Sequence, residues 1–512
     1  MKRVVAFATA LVALAVSAAG TAPAQQTGLD ETAIRAKIKE AVGPYAESYR
    51  EIDEIAYSNG TSTTEHDFQR GKDFRYVFDS GSLHTERGSY HGDPWYMNGN
   101  GQVVLDDPAE ADTAPDADTT KVVVTRVQTP VDGYLLARLD ARGRGVKEYV
   151  DATTWQLVRR ERITAHGTVV RTYEDIRAEH GRTFAHHVHV DNPVDKLNAD
   201  LRIVSYEPGE VSEAEVAMPA PRRRLVEFPP TTDPVEIPSR FAGTQVYVRV
   251  TIGGRGLDFT LDTGADGITL DSTVARELGL KQFGRESAFA AGRFELANAV
   301  VPEMHVGALA MRDVAVQIIP QGWEEAPNLK DVGLLGFDFI AELGLTIDYE
   351  HKRVTAVPGT AFTAPADPLT FPLDVRIGGG APRVPVAVNG VVGKHFILDS
   401  GGDGSFMIGD RFGRSHPEAF KNQTPFGSPQ LFQGIGGLFA VQPYKMSSVK
   451  LANLNLRDWV GYRIVTKAYD ADDFDGIIGS EFLRLFTVHL DYGNSRVYLV
   501  PNRDGRAAMG IK

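Results

Sequence analysis

Two short loops in the second half of the sequence contain the residues best suited to chemistry. Each opens with an aspartate, a hydroxyl residue and a glycine: Asp262-Thr263-Gly264 in the first loop and Asp399-Ser400-Gly401 in the second. The aspartate follows a mainly apolar run that is typical of the end of a buried strand. The glycine permits close backbone approach, and the hydroxyl group can hydrogen-bond across to a partner loop.

Two such loops facing each other across a two-fold axis would place Asp262 and Asp399 side by side. Two carboxylates at that distance cannot both ionise easily, so the pair retains one proton. One carboxyl group then acts as general base on a bound water, and the other acts as general acid. The chemistry that follows is hydrolysis of an amide bond without a metal ion or a covalent intermediate.

The two loops belong to an internal repeat, which favours a paired arrangement. Downstream of the first loop, Gly333–Phe339 matches Gly476–Phe482, and Leu345–Tyr349 matches Val488–Tyr492. The aspartates are 137 residues apart (399 − 262), and the later elements are 143 apart (476 − 333). A constant order with a small insertion indicates duplication of a unit of about 115–130 residues.

In its motifs and their order, the stretch from about 240 to 502 resembles the retropepsin-like aspartic peptidases. The resemblance implies two β-barrel lobes, with Asp262 and Asp399 as the catalytic pair and with no cofactor or metal ligand. It also implies that Leu334–Gly336 and Ile477–Gly479 cross beneath the active-site loops. The residues that it assigns to support of the loops are Thr263, Gly264, Ser400 and Gly401.

The same resemblance implies a substrate cleft covered by glycine-rich hairpins. Gly434–Leu438 looks like a hairpin tip of this kind in the second copy, and Ala290–Arg293 is its weaker counterpart in the first. The candidate substrate-binding residues are Ala265, Asp266, Gly402, Asp403, Gly434, Ile435 and Gly436.

The sequence departs from the family in two places. Retroviral members carry an arginine after the apolar-apolar-glycine element, where this chain has Phe337 and Ser480. Asp266 and Asp403 therefore have two open roles, contacting the substrate backbone or capping their own loops. The residue before each of these aspartates lacks the hydroxyl group of pepsin-like members. That difference predicts a less acidic pair and an activity optimum at about pH 5–7.

The first part of the chain has a different pattern. Apolar residues at helical spacing from Ile34 to Tyr45 precede a series of short alternating strands. With the motif Gly92–Gly99 and the strands between Glu148 and Ile176, this block resembles the LolA/LolB-type half-barrel domains, which hold apolar ligands. The predicted division of the chain is 1–24 signal peptide, 25–218 N-terminal LolA/LolB-like domain, 219–240 Pro/Arg-rich linker, 241–360 first lobe and 361–512 second lobe. The linker is interpreted as solvated.

The N-terminus predicts export. Lys2 and Arg3 precede the apolar stretch Val4–Val16, and small residues follow, which is typical of a secretory signal peptide cleaved after Ala24. A retained anchor is the alternative, but the stretch is short for a bilayer span. We therefore expect a periplasmic or extracellular protein with no transmembrane segment after cleavage. The absence of cysteine excludes disulfides, thiolate metal sites and a cysteine nucleophile.

Other features have ordinary interpretations. The net charge of −13 argues against nucleic acid and anionic membranes as partners. Val77–Gly81 repeats the Asp-Ser-Gly pattern without the downstream elements, so we interpret it as a strand-to-turn junction. His187 and His189 share a strand face and could bind a metal, but a solvated or core strand is favoured.

Taken together, the sequence predicts a mainly β aspartic endopeptidase acting on a peptide or protein substrate. A monomer is sufficient because one chain supplies both loops. Two alternatives stay open: a non-catalytic peptide-binding or chaperone module on the same fold, and an apolar-ligand carrier that works through the N-terminal domain.

Overall fold

The computed structural model describes most of the chain and shows a mainly β protein, as predicted. The described residues are 29–105, 122–140, 143–164, 167–192, 198–221, 224–231, 233–321, 323–326, 328–375, 381–421, 423–466, 468 and 474–510. The predicted signal peptide lies outside these ranges. Within them, no helix combines the length and apolar character needed to cross a membrane.

The N-terminal part of the chain forms one antiparallel sheet. Its described strands are β1 (Ser48–Tyr57), β2 (Ser62–Arg70), β3 (Asp73–Ser80), β4 (Leu83–Tyr90), β5 (Asp93–Met97), β6 (Val103–Leu105), β7 (Val123–Val127), β8 (Gly133–Leu139), β9 (Gly145–Asp151), β10 (Leu157–Thr164), β11 (Gly167–Glu179), β12 (Arg182–Asp191) and β13 (Ala199–Pro208). Their order is β6-β5-β4-β3-β2-β1-β13-β12-β11-β10-β9-β8-β7. The first and last strands, β1 and β13, therefore pair in the middle of the sheet.

Helix α1 (Glu31–Val42) contains Ile34 and Ile38 of the predicted helical pattern but ends before Tyr45, the last residue of that pattern. It begins at Asp30, whose side chain accepts a hydrogen bond from the amide of Ala33, and it ends at Gly43. Ile34 is fully buried and packs with Leu136 and Val150 of the sheet. The helix thus covers an apolar patch on one face of the sheet.

The rest of the chain contributes three further sheets and six short α-helices among the described residues. The strands are β14 (Val235–Ile237), β15 (Ser239–Ala242), β16 (Gln245–Ile252), β17 (Arg255–Leu261), β18 (Thr269–Asp271), β19 (Gln282–Phe289), β20 (Arg293–Val306), β21 (Leu309–Ile319), β22 (Trp323–Ala326), β23 (Leu329–Leu335), β24 (Leu343–Asp348), β25 (Arg353–Pro358), β26 (Leu369–Pro372), β27 (Arg383–Val388), β28 (Val391–Leu398), β29 (Phe406–Ile408), β30 (Gln430–Gly434), β31 (Gly437–Leu451), β32 (Leu454–Ile464), β33 (Gly476–Ile478), β34 (Phe486–Asp491) and β35 (Arg496–Pro501). The helices are α2 (Glu213–Val216), α3 (Ser272–Glu277), α4 (Phe337–Ile340), α5 (Asp410–Ser415), α6 (Ser480–Leu483) and α7 (Arg503–Met509).

One of these sheets mixes strands from both copies of the repeat. Its order is β14-β25-β24-β34-β35-β26, and β24 runs antiparallel to β34. In that pair Thr346 of the first copy lies opposite His489. His489 is the residue that corresponds to Thr346 in the second copy, at the repeat offset of 143 (489 − 346). This register is what a two-fold axis between the copies requires.

Each copy also has a sheet of its own. In the first copy the order is β18-β21-β20-β16-β17-β23-β22, with β15 beside β16 and β19 beside β20. In the second copy the order is β27-β28-β33-β29-β32-β31-β30. In both, the strand before the aspartate lies parallel to the strand of the apolar-apolar-glycine element: β17 beside β23, and β28 beside β33.

The segment 219–240 differs from the solvated linker that the sequence predicted. Leu225 and Val226 are 1% and 3% exposed and belong to the core shared by the two copies. Glu227 makes two backbone hydrogen bonds with Ala310, and β14 adds to the edge of the mixed sheet. Prolines exclude regular structure only locally, and the apolar residues between them are stabilised by burial.

Candidate active site

The chain brings the two predicted loops together through equivalent strands. Strand β17 leads directly into Asp262, whose amide donates to the carbonyl of Leu335 at 3.0 Å. Strand β28 leads into Asp399, whose amide donates to the carbonyl of Ile478 at 2.9 Å. Both aspartates are therefore fixed at the point where a buried strand ends.

The hydroxyl residues join the loops by reciprocal hydrogen bonds. Thr263 Oγ1 donates to the carbonyl of Leu398, and Ser400 Oγ donates to the carbonyl of Leu261, each at 2.6 Å. The amide of Ser400 donates to Thr263 Oγ1 at 2.9 Å, and the amide of Thr263 donates to Ser400 Oγ at 3.1 Å. Both side chains are at most 2% exposed. This contact holds the loops in one relative position.

The glycines provide the close approach expected of them. A Cβ atom on Gly264 would lie 2.6 Å from Asp399 Cγ, and one on Gly401 would lie 2.5 Å from Asp262 Cγ. Contacts this short leave no space for a side chain. Each carboxyl group thus packs against the backbone of the opposite loop.

The two carboxyl groups each lie against the backbone of the opposite loop, and both are only partly exposed. Burial and the adjacent Asp399 carboxyl raise the pKa of Asp262 well above its usual range. Burial also raises the pKa of Asp399, opposed by the interaction with Asp262 and by hydrogen bonds from the amides of Gly402 and Gly401. Asp399 Oδ1 accepts hydrogen bonds from the amides of Gly401 and Gly402. Asp262 Oδ1 accepts only one such bond, from the amide of Gly264. Asp399 therefore has the better environment for negative charge.

The apolar-apolar-glycine elements pass beneath the loops and bind them. The amides of Gly336 and Phe337 donate to the carbonyls of Gly267 and Ala265 at 3.1 and 2.9 Å. In the second copy, the amide of Ser480 donates to the carbonyl of Gly402 at 2.8 Å. Ala265 and Gly402 thus bind the apolar-apolar-glycine elements beneath the loops through their backbone carbonyl groups.

The second aspartates of the two loops, Asp266 and Asp403, are exposed side chains within the site. Asp403 accepts a hydrogen bond from Thr244 Oγ1 at 3.2 Å, and Thr244 also bonds Ser480 Oγ at 2.7 Å. Asp403 therefore has a hydrogen-bond partner from the first copy.

Sequence reasoning missed this cross-copy contact. Thr244 and Gln245 lie at the turn between β15 and β16, and Gln245 Nε2 donates to the carbonyl of Gly401. Tyr247 in turn donates to Gln245 Oε1 at 2.5 Å. A Thr-Gln pair after a glycine reads as an ordinary turn, so no local pattern could have identified it.

Two hairpin tips, one from each copy of the repeat, contact each other. Gly434 and Gly437 pair at the end of the β30–β31 hairpin, which places Ile435 and Gly436 at its tip. The amide of Gly292, at the tip of the β19–β20 hairpin, donates to the carbonyl of Ile435 at 3.3 Å. Both predicted segments are therefore hairpin tips, and they are in contact.

The two other motifs noted in the sequence lie in the N-terminal sheet. Asp79 lies on β3, and the turn that follows it at Gly81 has a positive φ of 62°. His187 and His189 lie on β12, and both bond Asp200 Oδ1, at 2.9 and 3.1 Å. Among the residues that the structure describes, no group of three or more potential ligands is arranged to hold a metal ion.

The profile of one protein family matches a part of the chain. The aspartyl protease family profile matches residues 248–339, a stretch that includes Asp262 and Leu334–Gly336. The match covers less than a fifth of the 512 residues and ends before Asp399. The first copy thus contains an aspartyl-protease-type region. No curated protein matches the chain.

Solved structures show a weaker similarity. A LolA superfamily protein from Nitrosomonas europaea is 12% identical, with 36% of this chain and 97% of that chain covered at a TM-score of 0.28. A DUF1329 family protein from Desulfovibrio piger is 13% identical, with 36% and 94% covered at the same TM-score.

The N-terminal sheet carries a separate acidic cluster, which consists of Glu51, Asp53, Glu65 and Asp67. Glu51 lies opposite Asp67, and Asp53 lies opposite Glu65, so the four side chains share one face. Asp53 is 7% exposed, and its Oδ1 has no hydrogen-bond partner among the described residues. Burial and the charges of Glu51 and Glu65 raise the pKa of Asp53 to about 8.

We predict that Asp53→Asn stabilises the protein at pH 8. The folded-state pKa of Asp53 lies above its unfolded value, so its contribution to stability is complete below about pH 4 and is lost as pH rises through about 8. The neutral amide avoids that loss, and we expect a gain of roughly 1–3 kcal/mol at pH 8. Thermal unfolding of the full chain at pH 5 and pH 8 measures it. The exposed Asp191→Asn is the control. An equal effect of Asp53→Asn at both values of pH would contradict the prediction.

Proposed function

We propose that the chain is an aspartic endopeptidase in which Asp262 and Asp399 activate a water molecule. The observation that carries the proposal is the meeting of two equivalent loops, which are joined by reciprocal hydrogen bonds and place each aspartate carboxyl group against the opposite loop. The aspartyl-protease-type region around Asp262 supports the same reaction.

In the proposed reaction the pair holds one proton, located on Asp262. The Asp399 carboxylate, stabilised by two backbone amides, accepts a proton from water as the water oxygen attacks the peptide carbonyl carbon. Asp262 donates its proton to the carbonyl oxygen, which gives a neutral tetrahedral diol. Collapse of the diol breaks the C–N bond, the leaving nitrogen takes the proton from Asp399, and one diol hydroxyl returns its proton to Asp262.

The proposed substrate is an extended peptide between the carboxyl pair and the hairpin tips. Leu431 and Leu438 on the β30–β31 hairpin are 70% and 61% exposed, and they offer apolar surface to substrate side chains. Ile435 and Gly436 at its tip, together with Asp266, are the candidate contacts to the peptide backbone.

We predict a bell-shaped pH profile with its maximum at about pH 5–7. Activity requires the singly protonated pair, so it falls at low pH when both carboxyls are protonated and at high pH when both are ionised. Because burial raises the pKa of Asp262, the shared proton is retained to higher pH than in an exposed pair. Initial rates of peptide release at constant ionic strength measure the profile. A maximum below about pH 3.5 would contradict it.

The direct test uses a reduced, unfolded protein as substrate. Purified chain incubated with it near pH 6 is expected to release peptides that mass spectrometry identifies by new termini. In H₂¹⁸O the new carboxyl termini gain ¹⁸O, and a metal chelator leaves the rate unchanged. Absence of cleavage between pH 3 and pH 8 would favour the non-catalytic peptide-binding module instead.

The carrier alternative receives less support from the N-terminal sheet. The apolar patch around Leu136 and Val150 is already covered by Ile34 of α1. The acidic cluster gives another part of the sheet an ionisable surface, which disfavours an apolar ligand. Export to the periplasm or outside the cell stays a prediction from the N-terminal leader.

A further inference from the structure

A polar contact joins the N-terminal sheet to the first copy of the repeat. The turn between β5 and β6, residues Asn98–Gln102, lies against α4. Asn98 Nδ2 donates to Asp338 Oδ1, and Asn100 Nδ2 donates to Asp338 Oδ2, each at 2.7 Å. Gln102 Nε2 donates to the backbone carbonyl of Asp338 at 2.9 Å. The turn thus binds all three oxygen atoms of one residue.

The contact is buried and specific. Asn100 and Asp338 are only 4% and 7% exposed. The Asn100 side chain also bonds both backbone groups of Ala315 on β21, at 2.9 and 3.1 Å. Val104, two residues beyond the turn, belongs to the hydrophobic core of the two copies. Because buried polar groups are costly to leave without partners, this turn and α4 stabilise each other's position.

Asp338 in turn contacts the loop that carries Asp262. Next to Asp338, the amides of Gly336 and Phe337 donate to the carbonyls of Gly267 and Ala265 in this loop, at 3.1 and 2.9 Å. The Oδ2 atom of Asp338 lies 3.3 Å from the position that a Cβ on Gly267 would take. The start of α4 therefore contacts the Asn98–Gln102 turn through Asp338 and the Asp262 loop through Gly336 and Phe337.

The second copy holds its loop in another way. Glu481 is the counterpart of Asp338 at the offset of 143 (481 − 338), and its side chain is partly exposed. The loop of Asp399 is instead bound by Thr244 of the first copy and by Ser480. Two loops of one sequence pattern are therefore positioned by different partners, and the N-terminal sheet serves the first.

We propose that the Asn98–Gln102 turn positions the Asp262 loop through Asp338. The N-terminal sheet then contributes to the alignment of the catalytic pair. The inference rests on the proposed peptidase function. Without the side-chain amides of Asn98 and Asn100, the buried carboxyl group of Asp338 loses two hydrogen-bond donors. The Asp262 loop then becomes more mobile. Asp262 then aligns less often with Asp399, so kcat falls while the substrate contacts at the hairpin tips, and with them KM, are retained.

The test compares Asn100→Ala with Asn59→Ala in the full chain. Asn59 is a matched control because it is exposed and accepts hydrogen bonds from Thr61 within its own hairpin turn. Hydrogen exchange followed by mass spectrometry reports on residues 262–268 and, as an internal control, on residues 399–405. We expect exchange at 262–268 to accelerate at least about tenfold in Asn100→Ala, with 399–405 and the Asn59→Ala variant unchanged.

Kinetics supply the second readout. Asn100→Ala is expected to lower kcat at least about tenfold with KM within about twofold. The exchanged pair Asn100→Asp with Asp338→Asn restores an amide facing a carboxyl group, and it should recover part of the activity that each single change removes.

Three outcomes would overturn the proposal: unchanged exchange at 262–268, equal acceleration in both loops, or a loss confined to KM. Exchange does not depend on turnover. A wild-type chain that cleaves nothing, but whose first loop loosens in Asn100→Ala, would therefore contradict the peptidase function and support the positioning contact.

Discussion

Asn substitution of either Asp262 or Asp399 is expected to reduce peptide release by about 10²–10⁴-fold. The amide can neither accept the proton of the attacking water nor share a proton with the opposite carboxyl group. Because Asn preserves side-chain shape, and because burial raises the pKa of both aspartates, removing one charge should leave folding intact or improve it. Initial rates and thermal unfolding measure the two effects separately.

The chain contains a matched control for this experiment. Asp79 also lies in an Asp-Ser-Gly motif, but on β3 of the N-terminal sheet, so Asp79→Asn should keep wild-type activity. Full activity in Asp262→Asn would refute the proposed mechanism. If Asp262→Asn loses cleavage but still binds peptide, catalysis is separated from binding. If the wild-type chain itself binds peptide without cleaving it, the result supports the chaperone-like alternative.

Gly401→Ala is expected to have the second large effect. Its Cβ would lie 2.5 Å from Asp262 Cγ, so either the carboxyl pair or the two loops must move apart. We expect loss of most activity together with a decrease of about 1–3 kcal/mol in the free energy of unfolding, as for other overpacked sites. Denaturant unfolding and initial rates of peptide release measure both.

Gly209→Ala is the control for the added methyl group. A Cβ at Gly209 meets no atom within 4 Å, and its backbone does not require a positive φ. Gly209→Ala should therefore leave activity unchanged. Unaltered activity in Gly401→Ala would show that the loops are not packed as closely as the structure indicates.

The sequence predicted those parts of the site that local patterns encode. The two Asp-hydroxyl-glycine loops, their supporting elements and the hairpin tip at Gly434–Gly436 repeat in a constant order, and each pattern follows from strand ends and tight turns. Helical spacing of apolar residues predicted α1. The Asp-Ser-Gly motif at Asp79 was set aside because it lacks the downstream elements of the repeat. Repetition supplied the information that a single motif lacks.

The chain outside the repeat was harder to predict. The segment 219–240 is rich in proline and arginine, which led to the expectation of a solvated linker. Burial of Leu225 and Val226 depends on a surface that forms only when distant strands assemble. Composition describes local stiffness and polarity, and it contains no information on that surface.

By itself, the sequence determined which residues could act as a pair, since duplication of a loop marks both members at once. Only the tertiary structure decided what holds each loop: Thr244 and Gln245 contact the second, while Asn98 and Asn100 reach the first through Asp338. Amide and hydroxyl residues in turns look alike whether they bond water or a distant loop. Their partners depend on long-range packing, which brings together residues more than 150 positions apart.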